Sequence, residues 1–359
     1  MRILLLFIIF LSTKLYSSEI IFKDNNFKTK ILSSKTAKDK EGNFIKIDQN
    51  NDNKIEENEA DKVYSLEISD SNIVDLYGLR YFRNLTNLNC SSNLITNIDE
   101  INLLENLVEL EIENNSIETF YLNNKSKLKS ILSEKSNIRS VKLENCTSLE
   151  YIFFSDNIIE NFDLNLCPNL KAISAENNRI ERLDLSSFAF LEDAFFSQNK
   201  LKEINISNSY YLKSLDIEKN NVEKIIFKNN NKLKSLLAAE NMLIQLDITE
   251  CPNIEDLDIE SNNISSLTIL KNPLLKNIFI GNNKISILKI NSNKLDNINF
   301  SNNPLISICT NIDSKKKIIS ALKENDIKNC VVSYNCNDKN ENLEGGGIFK
   351  TTLKLNSSK

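Results

Sequence analysis

The chain has 359 residues, 41% of them hydrophobic, a formal net charge of −5 and no histidine. This mild acidity leaves no electrostatic footprint for nucleic acid. The missing histidine removes histidine-dependent triads, H-E-x-x-H metal sites and the commonest general base, and six glycines are too few for a phosphate cradle of the usual kind.

Residues 1–18 read as an export signal: Arg2, an apolar run from Ile3 to Leu11, then small polar residues at Ser17 and Ser18. The run is too short to span a bilayer. No cysteine follows it to carry a lipid, and no later stretch is apolar enough for a membrane helix. The expected location is therefore secreted or cell-surface, with no transmembrane segment after signal removal.

Residues 19–62 form an N-terminal cap, with a short helix expected from Phe27 to Leu32. Asp48, Asn50, Asp52, Lys54, Glu56 and Glu59 then follow the ligand spacing of an EF-hand loop. Ca²⁺ takes six to eight oxygens. Asp48, Asn50 and Asp52 would give side-chain oxygens, Lys54 its carbonyl, Glu56 a contact through water, and Glu59 both carboxylate oxygens. Ile55 is the apolar strap of such a loop. Asn53 stands where the sharp turn prefers Gly, and Asn tolerates the left-handed conformation that the turn requires. The competing reading is a plain polar loop.

Residues 63–308 are periodic. An apolar residue opens a unit at Val63, Leu85, Leu107, Leu128, Leu149, Leu170, Leu191, Leu212, Leu233, Ile254, Leu275 and Leu295, mostly 21 residues apart. A fixed period of this length marks a solenoid, and the pattern L-x-x-L-x-L-x-x-N-x-L-x-x-L-x-L is that of a leucine-rich repeat. Positions four and six of each unit face inward from a short strand, while three, five and seven face outward. Position nine is Asn in ten units and Ser at Ser71 and Ser136; its carboxamide can replace the ladder partners lost where the chain leaves the strand. Positions fourteen and sixteen form a second alternating pair, for example Leu183/Leu185 and Ile204/Ile206. That pair predicts a second short strand on the convex side instead of a helix. The expected fold is thus an α/β, β-rich, right-handed solenoid of about twelve coils, mildly curved, with a parallel concave sheet and a cap at each end.

Residues 309–343 form a cysteine-containing C-terminal cap, with a helix expected over Lys315 to Lys323 and a strand over Val331 to Tyr334. Such a cap covers the last open coil. Residues 344–359 read as a flexible tail after Gly345, Gly346 and Gly347. Seven cysteines in an exported chain imply disulfides. Cys309 is expected to pair with Cys330 or Cys336. Cys146 and Cys167 occupy one position of adjacent coils, about 5 Å apart and within disulfide reach, although side chains in register point the same way. Cys90 reads as a small core hydrophobe.

The helix Phe27 to Leu32, the loop running into Glu59-Ala60 and the 21-residue repeats together resemble secreted leucine-rich repeat proteins of Bacteroidota, flavobacteria especially; the repeat type is also similar to that of some Listeria internalins. The resemblance covers nearly all of the chain and implies an extracellular or cell-surface binding protein. Many such proteins continue into a type IX sorting domain, and this sequence has no obvious one.

No G-x-S-x-G, G-x-x-x-x-G-K or C-x-x-C is present, so an enzyme is not expected. Two readings of function remain. One is a binding module, monomeric, that recognises an extracellular protein or glycan through its concave face, in adhesion or host and environment interaction. The other is a structural surface or spacer protein without a specific ligand. From Leu149 onward, positions five and seven alternate between apolar-and-small coils (Phe153/Ser155, Phe195/Ser197, Leu237/Ala239, Phe279/Gly281) and polar or acidic ones (Ser174/Glu176, Asp216/Glu218, Asp258/Glu260). Duplication of a two-coil segment could produce this pattern without function. As a binding face it offers Tyr151, Phe153, Phe195, Leu237 and Phe279 for stacking, and Asp216, Glu218, Asp258 and Glu260 for Lys, Arg or hydroxyl groups.

Overall fold

The structure, a computed structural model, describes residues 18–334 except 165, together with residue 336. The expected signal segment, but for Ser18, and the tail from residue 344 lie outside the described residues.

A short coil cannot bury its apolar edge alone, so each one stacks on the next. The main sheet has 14 strands. Its first two, Ala37–Lys38 and Phe44–Ile45, are an antiparallel pair that seals the N-terminal edge. From Ser65–Glu67, which meets Ala37–Lys38 antiparallel, to Asn297–Asn299 the strands pair parallel with one another, one strand for each repeat. Positions four and six are buried in every coil but the last, as at Ile173 and Ala175 or Leu215 and Ile217, while Ile298 is partly buried.

The position-nine asparagines carry the stack. Asn178 donates from Nδ2 to the carbonyls of Ala175 and Glu176 in its own coil (both 3.1 Å) and of Phe154 in the coil before (3.0 Å). Its Oδ1 accepts from the Ile159 amide at 2.9 Å. One side chain thus serves backbone groups of two coils where the strand ladder stops. The same set recurs at Asn199, Asn220, Asn241, Asn262 and Asn283.

Just before each of them, position eight is left-handed in every coil, from Asp70 (φ 49°) through Lys135, Gln198 and Glu240 to Asn302. None of these residues is glycine. Closing the coil requires the turn, and the residues there bear its steric cost.

The convex side carries three short parallel sheets, not one continuous sheet. Pairing lapses between Asn161–Asp163 and Leu183–Asp184, and again after Lys224–Ile226, where Leu246 and Ile248 form no strand. The expected second strand is therefore present in most coils and absent from some.

At the C-terminal end, strand Val331–Tyr334 adds in parallel to Ser307–Thr310, and helix Lys315–Glu324 buries Ile318, Ala321 and Leu322 over the last coil. Cys309 bonds to Cys336, with Cα atoms 5.7 Å apart. The choice left open by the sequence thus falls on Cys336, and Cys330 is free. Cys146 and Cys167 are buried free thiols; stacked in register, their side chains point alike instead of toward each other.

Candidate binding face

Parallel pairing in unbroken register fixes the outward row. Residues Glu111, Leu132, Phe153, Ser174, Phe195, Asp216, Leu237, Asp258 and Phe279 each lie opposite the next. Tyr151 stands beside Phe153 at the exposed border, opposite Ala172. The rings of Phe153, Phe195 and Phe279 are half-buried, less open than small neighbours at position seven suggest, because adjacent coils lean on them.

The two-coil alternation also runs inside the core at first: Phe154, Ala175 and Phe196 alternate large and small beneath the row. Beyond Phe196 the core loses it, with Ile217, Ala238, Ile259 and Ile280, while the outward row keeps it to Phe279. Core packing alone therefore does not impose the outer pattern.

The carboxylates of the row carry no ion pair. Asp216 accepts the Glu218 amide (3.0 Å) and Asp258 the Glu260 amide (3.0 Å). Burial pushes the pKa of Asp216, Glu218, Asp258 and Glu260 upward, and for Glu218 and Glu260 the adjoining aspartates push it further. Glu260 reaches over Gly281 to the Asn299 amide. A Cβ at Gly281 would stand 2.8 Å from the Glu260 carboxylate and 3.0 Å from the Ser301 hydroxyl, so a larger residue there would push aside the Glu260–Asn299 contact. At position two, on the flank, the charges are neutralised instead: Lys171 meets Glu150 at 2.7 Å, Lys213 meets Glu192, and Glu255 lies between Lys234 (3.4 Å) and Lys276 (2.5 Å).

The Asp48–Glu59 loop is built from side chains that cap backbone amides. Asp48 accepts from Asp52 and Asn53, Asp52 from Lys54, and Glu59 from Gln49 (2.8 Å) and Glu56 (3.1 Å). Asn53 has φ 63°, the left-handed turn that its position demands, and Ile55 is buried. Asp48 and Glu59 are buried as well. Glu56 is pushed up to about 7 by its hydrogen bond with Glu59, by burial and by the charges of Glu59, Asp52 and Asp48. Among the described residues no three carboxylates or thiols converge closely enough to hold a metal alone. The donor set of this loop nevertheless fits a hard cation, because an amide and a carbonyl complete it and its carboxylates repel one another.

Solved structures of the same shape exist. Internalin InlJ of Listeria monocytogenes, whose functional domain includes a cysteine ladder, shares 21% identity over 72% of this chain and 70% of its own, with a TM-score of 0.55. An internalin of the same species, InlF, shares 18% over 89% and 97%, with a TM-score of 0.53. The glycosylated Drosophila Toll–Spätzle complex matches at 21% over 70% and 41%, with a TM-score of 0.57. The fold is a leucine-rich-repeat solenoid. No protein-family model matches the sequence, and neither does any curated protein.

On this leucine-rich-repeat frame, one exposed cluster is missing from the sequence-based site. Phe190, Tyr210 and Tyr211 are 50%, 48% and 43% exposed, more than any ring of the row. Phe190 stacks on Tyr211 with centroids 6.2 Å apart, and Lys232 lies 4.3 Å from the Tyr211 centroid on the next coil. The signal was available, because Phe190, Tyr211 and Lys232 are 21 residues apart and so share one repeat position. On the convex side, the first lapse in pairing opens a cleft of about 340 Å³ lined by Phe162, Leu164, Arg182, Leu183 and Phe188.

Proposed function

We propose that this chain is an extracellular binding protein whose concave sheet recognises a protein partner. The observation that supports this most is the register-locked row of half-buried rings and carboxylates without a cationic partner between Tyr151 and Phe279. Desolvated aromatic anchors beside charges that lack a counter-charge are what interface centres supply. The Cys309–Cys336 disulfide favours an oxidising exterior, and the likeness to internalins and to Toll in its complex with Spätzle favours a protein ligand. A spacer would not need the row's uncompensated charge.

The test is a triple substitution of Phe153, Phe195 and Phe279 to Ser, used in pull-downs and glycan arrays. The variant is expected to fold, since none of the three is a core position, and to lose its partner. Normal binding by a folded variant would refute the concave reading; capture of glycans alone would replace protein by sugar.

For the entry loop we propose a structural Ca²⁺ held by Asp48, Asn50, Asp52, the Lys54 carbonyl, Glu56 and Glu59, at an extracellular-type affinity of about 10⁻⁴ to 10⁻³ M. Because the folded pKa of Glu56 is raised from 4.5 to about 7, its contribution to stability falls as pH rises through that window. A cation there favours the ionised form, so calorimetry should find one site that tightens with pH and is abolished by Glu59→Gln. Melting curves identical with calcium and with chelator at every pH would count against the site.

A further inference from the structure

From the spacing and charge of the concave row, we propose that its partner is a cationic polypeptide segment in polyproline-II conformation, lying along the solenoid axis. It repeats an apolar residue every third position, with Lys or Arg between. This rests on the concave reading and narrows it.

The first ground is charge. Asp216, Glu218, Asp258 and Glu260 are partly withdrawn from water on the outward face without any ion pair, while the flanking carboxylates Glu150, Glu192 and Glu255 are all matched by lysines. Uncompensated charge held away from water is unfavourable, and a ligand that brings cations removes that penalty on binding. An anionic ligand, or a neutral one without hydrogen-bond donors, would leave it in place, and a neutral donor would offset it less than a cation does.

The second ground is spacing. Phe153, Phe195, Leu237 and Phe279 recur every second coil. Coils stack about 4.8 Å apart, so successive apolar side chains stand about 9.6 Å apart along the row, and less on a concave surface. A polyproline-II chain rises about 3.1 Å per residue with three residues per turn, which returns the same face every ~9.3 Å. A β-strand returns a face every ~6.7 Å and is out of step after a single two-coil unit. An α-helix returns one every ~10.8 Å over two turns, and its mismatch exceeds 3 Å across the roughly 29 Å from Phe153 to Phe279. Only the polyproline-II repeat stays in phase over all four apolar positions, with an acidic coil between each pair to meet the intervening cations.

The experiment measures binding of fluorescent peptides to the whole mature chain by anisotropy, at low and at high salt. The probes are (Leu-Pro-Arg)₄, its charge-reversed form (Leu-Pro-Glu)₄ and the strand-patterned (Leu-Arg)₆. The expected result is that (Leu-Pro-Arg)₄ binds at least tenfold more tightly than either of the others. Binding should weaken with salt and should fall at least tenfold in the Asp216→Asn/Asp258→Asn variant. Equal binding of (Leu-Arg)₆ would overturn the conformational claim, and an unchanged affinity in the double variant would overturn the charge claim. If (Leu-Pro-Arg)₄ fails to bind while the Phe153, Phe195 and Phe279 variant still loses its natural partner, this inference falls and the concave reading stands. If the peptide binds that triple variant as well as the parent chain, both fall.

Discussion

Two columns of buried side chains line the turns of the solenoid, and they differ in how strictly they choose their residues. At position nine, on the edge of the concave sheet, asparagine repeats with only Ser71 and Ser136 as exceptions. At position nineteen, on the opposite turn, the buried side chains are Lys125, Cys146, Cys167, Phe188, Ser209, Asn230, Cys251 and Asn272. The reason lies in the backbone groups each must satisfy. Asn199 donates to the carbonyls of Ala175, Phe196 and Ser197 and accepts the amide of Ile180, so donor and acceptor are both needed on one planar group. At position nineteen a donor toward a carbonyl of the preceding coil is enough. Ser209 donates to Leu185 at 2.9 Å, Asn272 to Ile248 at 3.0 Å, and Lys125 reaches Asn102 and Leu104 at 2.7 and 2.9 Å. Many side chains meet that requirement, and where turn carbonyls are otherwise served a thiol or a ring fills the space.

The contrast breaks first at position nine. Asn199→Cys leaves the Ile180 amide without its acceptor and takes one donor each from the carbonyls of Ala175, Phe196 and Ser197, of which Ala175 keeps Asn178 and Phe196 keeps Asn220; it should cost about 2 to 3 kcal/mol in denaturant melts, and a cost below about 1 kcal/mol would erase the distinction between the columns. The matched change Asn272→Cys puts at position nineteen the residue that Cys251 already supplies one coil earlier, so its cost should be about 1 to 2 kcal/mol. Lys125→Met removes a buried ammonium together with its two acceptor contacts and should cost about 1 kcal/mol near neutral pH. Burial lowers the Lys125 pKa below 10.5. The folded chain therefore binds fewer protons than the unfolded one as pH approaches 10.5, and the stability contributed by Lys125 rises with pH in that window. Melts taken between about pH 8 and 11 should show this rise in the parent and not in the Met variant. Smallest of all, Cys251→Ser should shift stability by less than about 1 kcal/mol. Burial pushes this thiol up to about 12, so it should also resist alkylation until the chain unfolds; rapid labelling of the native protein would show that the column is not packed.

Much of the frame was legible because it repeats. The opening apolar residues, the inward pairs at positions four and six, and the asparagine column each recur a dozen times or nearly so, which no isolated motif could match. The cap elements were legible for local reasons: Lys315–Glu324 has an apolar helical face and Val331–Tyr334 is rich in β-branched and aromatic residues. The candidate binding row was legible as an alternation, yet its half-buried rings were not, because burial there depends on side chains from neighbouring coils. The Phe190, Tyr210 and Tyr211 cluster has a visible 21-residue period, but it lies in the turns, where no strand alternation tells which rings stay exposed.

The sequence by itself determined the coil, its period, the parallel register and the asparagine contacts, since all of these follow from side-chain chemistry repeated at fixed intervals. Tertiary structure alone decided four things. The position-eight turns are left-handed at residues as unlike as Lys135, Gln198 and Glu240 because coil closure sets their backbone, not their identity. The convex pairing lapses between Asn161–Asp163 and Leu183–Asp184, a break that the repeated apolar pair at positions fourteen and sixteen does not announce. Cys309 joins Cys336 and not Cys330 because the parallel strand Val331–Tyr334 carries the chain past one thiol and delivers the other. Lysines neutralise the flank and leave the concave carboxylates bare because register brings position two of one coil against position two of the next, and no cation occupies the row between.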